Sequence, residues 1–205
     1  MTKNLFIALE GIDGSGKSTQ VKLLTEKLQA AGHNVYATFE PTDSPIGKMI
    51  RDIFSGKTEA DHKVIAGLFV ADRLDHLLNK KNGILKMLED GYTVITDRYY
   101  FSSYAYHSPY MSMDWVIEAN ALSAELLRPN LNIYIDIPAE ESMQRIAKGR
   151  TATELYETLD NLKTVRSLYM QAFEKLNTVE NICIINGERA AEDIANDIWE
   201  KVLSI

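Results

Sequence analysis

The chain carries one cysteine, no apolar run long enough to cross a bilayer, and fewer cations than anions. Each shortage excludes a class of protein. A single thiol builds no disulfide framework, and Cys183 sits in the apolar run Ile182 to Ile185, where a free thiol acts as a small buried hydrophobe. No stretch nears the roughly 18 apolar residues of a spanning helix. The amino-terminal residues also lack the apolar stretch and cleavage site of a secretory signal, so a cytoplasmic location is expected. Lys and Arg total 22 against 29 Asp and Glu, a formal charge of -7. That sign is wrong for a polyphosphate backbone, so no nucleic-acid polymer and no anionic membrane is expected as a partner. A small phosphorylated ligand stays open, because a few clustered cations outweigh net charge at short range. The four histidines are scattered and form no metal constellation. Without repeats, low-complexity tracts or linkers, residues 1–205 read as a single domain.

What is present is globular: 45% hydrophobic and 25% charged residues suffice for a core. Apolar runs of strand length alternate with segments of helical period, the mark of a parallel sheet covered by helices. The strands expected are Leu5 to Leu9, Val35 to Phe39, Tyr92 to Thr96, Leu131 to Ile135 and Ile182 to Ile185, all buried on both faces. Helices are expected at Lys17 to Ala31, Pro45 to Phe54, Asp61 to Lys80, Gly83 to Asp90, Met113 to Leu127, Ala139 to Lys148, Leu155 to Leu176 and Glu192 to Leu203. Trp115 and Trp199 fall in helical patterns and are expected in the core or at a subunit contact.

The first strand runs into Gly11-Ile12-Asp13-Gly14-Ser15-Gly16-Lys17-Ser18-Thr19, a full G-x-x-x-x-G-K-S loop opening a helix. Its glycines let backbone N–H groups turn around a phosphate, and the helix N-terminus adds its positive end. Lys17 is expected to bridge the β- and γ-phosphates and Ser18 to hold Mg2+. A nucleoside triphosphate is the expected ligand. A GTPase would need a guanine box, but the nearest string, Asn79-Lys80-Lys81-Asn82, ends in Asn and lies at a helix terminus. The third strand ends in Asp97 followed by Arg98, a cation beside a metal carboxylate, which points to a second phosphate nearby.

In these motifs the chain resembles the thymidylate kinase family, from Phe6 to about Tyr169. The resemblance rests on the phosphate loop with its acid at Asp13, Phe39-Glu40-Pro41-Thr42, Leu68-Phe69-Val70-Ala71-Asp72-Arg73, Asp97-Arg98-Tyr99 with Ser102, Ser103, Ala105 and Tyr106, and Arg128-Pro129. It implies a phosphate-loop nucleoside monophosphate kinase fold of three layers, a five-stranded parallel sheet flanked by helices. It also implies transfer of a phosphoryl group from ATP to dTMP with Mg2+, and a homodimer. By the same resemblance Phe69 stacks on the base, Arg73 reaches a base carbonyl, Ser103 lies near the base edge and Tyr106 meets the sugar. Arg51 and Arg98 hold the acceptor phosphate, and Asp97 stands near Mg2+. Asp13 meets the sugar 3′-hydroxyl or a metal water, and Glu40, beside Pro41, orients the arginines or a metal-bound water. A short lid, about residues 148–156, carries Arg150 as a mobile cation, with Arg145 beside adenine and Lys148 next to them.

Two positions depart from the family pattern. Phe39 stands where an arginine is frequent, and His107 stands where bacterial members place glutamine, so base preference is less fixed than reaction class. Two rivals differ in chemistry. A deoxynucleoside kinase would phosphorylate a sugar hydroxyl, and a nucleotide-dependent switch would bind ATP without acceptor-dependent turnover.

Overall fold

The computed structural model describes residues 4–149 and 155–205. Along the chain run β1 (Phe6–Glu10), α1 (Lys17–Ala30), β2 (Asn34–Phe39), α2 (Pro45–Phe54), α3 (His62–Leu78), α4 (Ile84–Glu89), β3 (Tyr92–Asp97) and α5 (Tyr100–His107). There follow α6 (Met113–Ala119), α7 (Ala121–Leu126), β4 (Leu131–Asp136), α8 (Ala139–Gly149), α9 (Leu159–Leu176), β5 (Ile182–Asn186) and α10 (Ala191–Leu203). The strands form one parallel sheet in the order β2-β3-β1-β4-β5.

Side chains of β1 alternate between two cores because a strand has period two. Phe6 and Ala8 join Val94 and Tyr134 under α5 and α9, whereas Ile7 and Leu9 join Leu24, Leu28, Ile194 and Ile198 under α1 and α10. Helices therefore cover both faces, giving the three-layer α/β fold expected. Among the described residues no helix is long and apolar enough to cross a membrane.

Register decides where loops emerge. Leu9 pairs with Asp97, and Phe39 also pairs with Asp97. The first residues beyond these strands thus share one rim, where Glu40 N–H donates to Asp97 O (3.0 Å) and Arg98 N–H to Leu9 O (2.9 Å). Ligands of open parallel sheets bind at this carboxyl edge.

Four expectations are corrected. β2 and β5 are edge strands, so they are not buried on both faces; Phe39 is 45% and Ile184 51% exposed, and Cys183 is only half-buried. The expected helix from Met113 to Leu127 breaks at Asn120, whose buried amide bonds Val116 O and receives Arg73. The helix read from Leu155 begins at Leu159 after Thr158, which accepts from Asn161 N–H as its N-cap. α5 was not expected at all. Trp115 is 48% exposed on α6, while Trp199 packs against the core beneath α1 and α10.

Candidate active site

The phosphate loop wraps a cavity of about 520 Å³ at the start of α1. Gly14 and Gly16 take positive φ, 72° and 96°. At Gly14 a Cβ would also meet Ser142 O at 2.9 Å, so glycine is required twice over. Asp13, Gly14, Gly16, Lys17, Ser18, Thr19, Glu40, Asp97, Arg98 and Arg145 line this cavity; Gly11 and Ser15 lie behind it, buried.

Lys17 folds back and donates from Nζ to Gly11 O (3.1 Å) and Ile12 O (3.0 Å). Burial, aided by the Arg98 charge, pushes its ammonium down to about 8 against the pull of Asp97, Asp13 and Glu10. Ser18 Oγ donates to Asp97 Oδ2 at 2.7 Å. A hydroxyl and a carboxylate at a phosphate cradle are hard oxygen donors of the kind Mg2+ takes with substrate phosphates and water. Among the described residues no group of three or more His, Cys, Asp or Glu could hold a metal without such help. Arg145 is tied to Glu141 (2.7 Å) and Gly187 O (3.0 Å). Arg150 and most of the expected lid, residues 150–154, lie outside the described residues.

A second cavity, about 750 Å³, opens beside the first. Pro41, Arg51, Phe69, Ser103, Tyr106 and His107 line it, and Asp13, Phe39 and Arg98 line both cavities. Arg51 is fixed by Pro41 O (2.8 Å), Thr42 O (2.5 Å) and Asp43 (3.1 Å). The loop it grips is held by Asp72, which accepts from Thr42 N–H (2.8 Å) and Ser44 Oγ (3.0 Å). Arg98 has left-handed backbone, φ 72°. Its Nη2 pairs with Asp13, and its Nη1 donates to Gly11 O (3.1 Å) and Ser102 Oγ (2.9 Å). Tyr106 OH donates to Asp13 Oδ2 (2.8 Å). Burial would raise the Asp13 carboxyl, but Arg98, Lys17 and Tyr106 outweigh it and hold it below its usual value. The Phe69 and His107 rings lie 5.2 Å apart. Burial, with Arg73 and His62 nearby, pushes the His107 imidazole down to about 3, so it is neutral at pH 7, and among the described residues Nδ1 has no partner.

Arg73 is not in the cavity. It is wholly buried one layer back, where its guanidinium has five donors. Nε and Nη2 donate to Glu40 Oε2 (3.0 and 2.7 Å), Nη2 also to Tyr99 O (3.2 Å), and Nη1 to Ser103 Oγ (3.0 Å) and to Asn120. Glu40 lines the phosphate-loop cavity and also meets His76 Nδ1 at 3.1 Å. Arg73→Met should lower unfolding stability by about 3–5 kcal/mol, because the buried Glu40 carboxylate loses its guanidinium partner and is left with the His76 ring nitrogen. Urea unfolding of the parent and variant measures this, and a loss below about 1 kcal/mol would contradict the pairing.

Several site residues escaped the sequence reading. Phe54, Tyr156, Lys48 and Lys57 line the second cavity, and no motif in the sequence singles them out. Glu10 and Tyr169 sit behind Arg98; an acid ending a central strand was the visible signal. Burial raises the Glu10 carboxyl while Ser102, Arg98, Tyr99 and Tyr169 oppose the rise.

A family model described as thymidylate kinase matches residues 9–198. The chain is 40% identical over 202 residues to a probable thymidylate kinase of Pyrococcus horikoshii, spanning 96% of this chain and 94% of that protein. Against a probable thymidylate kinase of Thermococcus gammatolerans the identity is 37% over 203 residues, 95% of this chain and 93% of that protein. Against one of Methanocaldococcus jannaschii it is 36% over 198 residues, 97% and 95% of the two chains. The match spans both cavities and nearly all of the strands that carry them, so the chain belongs to the thymidylate kinase family.

Proposed function

We propose that the two cavities seat ATP and dTMP head to head and that the chain transfers the γ-phosphoryl group to dTMP, giving ADP and dTDP. The observation that carries this is their junction: Asp13, Phe39 and Arg98 belong to both. A phosphate at the mouth of each cavity would meet its counterpart across Arg98. An acceptor phosphate oxygen, anionic near neutral pH, forms a bond to the γ-phosphorus as the bond from that phosphorus to the β–γ bridging oxygen breaks. No protein nucleophile is needed, so positioning and charge neutralisation supply the rate.

Lys17 would release Gly11 O and Ile12 O to take the β- and γ-phosphates, and Arg98 and Arg51 would hold the acceptor phosphate as guanidinium forks. Ser18 and Asp97 would hold Mg2+, which when bound neutralises phosphate charge. Phe69 offers its ring to the base. Ser103, whose Oγ already accepts from Arg73, keeps its O–H for a base oxygen, with neutral His107 beside it. Arg145 is assigned to the adenine side and Arg150 to a lid of about residues 148–156 in a single folded unit. We further assign a cytoplasmic homodimer built on α3, which leaves Val64 (53%) and Leu78 (52%) exposed; sedimentation tests the dimer.

A panel of nucleoside monophosphates with ATP and Mg2+ tests the reaction: dTMP should drive ADP formation, and thymidine should not. ADP formation with thymidine, or none with any monophosphate, would overturn this reading. The pH profile gives a second test. The free-enzyme ammonium of Lys17 titrates at about 8, and kcat/KM reports free-enzyme groups. Donor kcat/KM should therefore fall about tenfold per pH unit above that point, and Lys17→Arg should move the fall to higher pH.

A further inference from the structure

β1 ends in a carboxylate that solvent does not reach. Strand parity puts Glu10 on the Phe6 and Ala8 face, beneath α5 and α9, at 0% exposure. Among the described residues no cation bonds it. Its partners are donors: the N–H groups of Tyr99 (2.9 Å) and Ser102 (3.3 Å) reach Oε1, and Ser102 Oγ (2.6 Å) and Tyr169 OH (3.0 Å) reach Oε2. A carboxylate offers about four lone-pair sites, and these donors fill them.

Each oxygen has its own task. Oε1 caps the first turn of α5, where Tyr99 at the N-cap supplies no side-chain bond. Oε2 draws in the hydrogens of two hydroxyls whose oxygens lie 2.8 Å apart. Their remaining lone pairs then face Arg98, whose Nη1 donates to Ser102 Oγ (2.9 Å) and Tyr169 OH (3.4 Å). Asp13 holds Nη2, so the hydroxyl pair and Asp13 together set the plane of the fork.

We propose that Glu10 is a positioning residue for Arg98, acting through the hydroxyls of Ser102 and Tyr169 to aim the guanidinium at the acceptor phosphate. This rests on the acceptor-site reading above.

Glu10→Gln keeps the shape and spoils the polarity. An amide has one acceptor oxygen and one NH2 donor. The backbone N–H groups cannot reverse, so the oxygen must serve them and the NH2 must face the hydroxyls. Those hydroxyls then send their hydrogens toward Nη1, which is itself a donor. Acceptor kcat/KM should fall roughly 10- to 100-fold, mainly through acceptor KM, while donor KM stays within about twofold. In ¹⁵N NMR of the unliganded protein, the Arg98 Nη–H signals should be resolved in the parent and averaged by rotation in the variant. A merely structural role for Glu10 would lower donor and acceptor parameters together. A folded Glu10→Gln with acceptor kcat/KM within about twofold of the parent, or with equal losses on both substrates, would overturn the proposal. If Glu10→Gln does not fold, Tyr169→Phe decides: it should raise acceptor KM severalfold with donor KM unchanged, and an unchanged acceptor KM overturns the proposal. A parent that turns over no dTMP would sink the functional reading instead, and the Arg98 signals would then judge the positioning role alone.

Discussion

Lys17→Ala should lower kcat by about a thousandfold or more, since loss of a preorganised donor aimed at transferring charge costs on the order of 3–4 kcal/mol at the transition state and a full cation at least as much. The unliganded protein should keep its melting temperature. The ammonium is buried and its pKa is pushed down to about 8, so the fold bears a desolvation cost that disappears with the side chain. That loss of penalty offsets the two hydrogen bonds lost at Gly11 O and Ile12 O, which keep Arg98 Nη1 and the Ser15 N–H as donors. Steady-state kinetics with calorimetric melting checks both halves. A variant that keeps a tenth of the parent kcat would remove Lys17 from the chemistry, and one that melts far lower would make it a structural lysine.

Arg98→Ala should cut acceptor kcat/KM by about a hundredfold to a thousandfold, with a smaller change in donor KM. Arg98 lines both cavities, but its contacts on Asp13 and Ser102 both lie on the lining of the second. Arg98→Gly separates chemistry from backbone. A left-handed residue with a Cβ costs about 1–2 kcal/mol that glycine avoids, so Arg98→Gly should be more stable than Arg98→Ala and equally poor with dTMP. Acid unfolding gives a further check. The Asp13 carboxyl is held below its usual value, so it contributes stability that is present above about pH 4 and lost as pH falls through its native value. Removing Arg98 raises that native value, so this contribution shrinks and the acid-induced loss becomes less steep. An unchanged acid limb would mean that Asp13 is held down by Lys17 and Tyr106 alone.

The phosphate loop and the central strands were legible because local rules specify them: glycines at positive φ, a strand before and a helix after, and unbroken apolar runs in β1, β3 and β4. α5 was not legible. Every residue from Tyr100 to His107 is buried, so no polar face repeats at the helical period. Its N-terminus is capped from another strand, by Glu10, and no local cap residue announces it. The break at Asn120 was hidden for a similar reason. Asn is not a strong breaker, and its amide is committed to Arg73, distant in sequence.

By itself the sequence determined the α/β alternation, the phosphate cradle and the list of side chains able to meet two phosphorylated ligands, because those depend on neighbours a few residues apart. Only the tertiary structure decided that Arg73 supports the cavity wall while Arg98 stands between the cavities, and that Glu10 serves Arg98. Strand register and the packing of α5 on α9 made those choices, since they bring together groups some thirty to one hundred and sixty residues apart, and no local rule specifies which buried donor finds which acceptor.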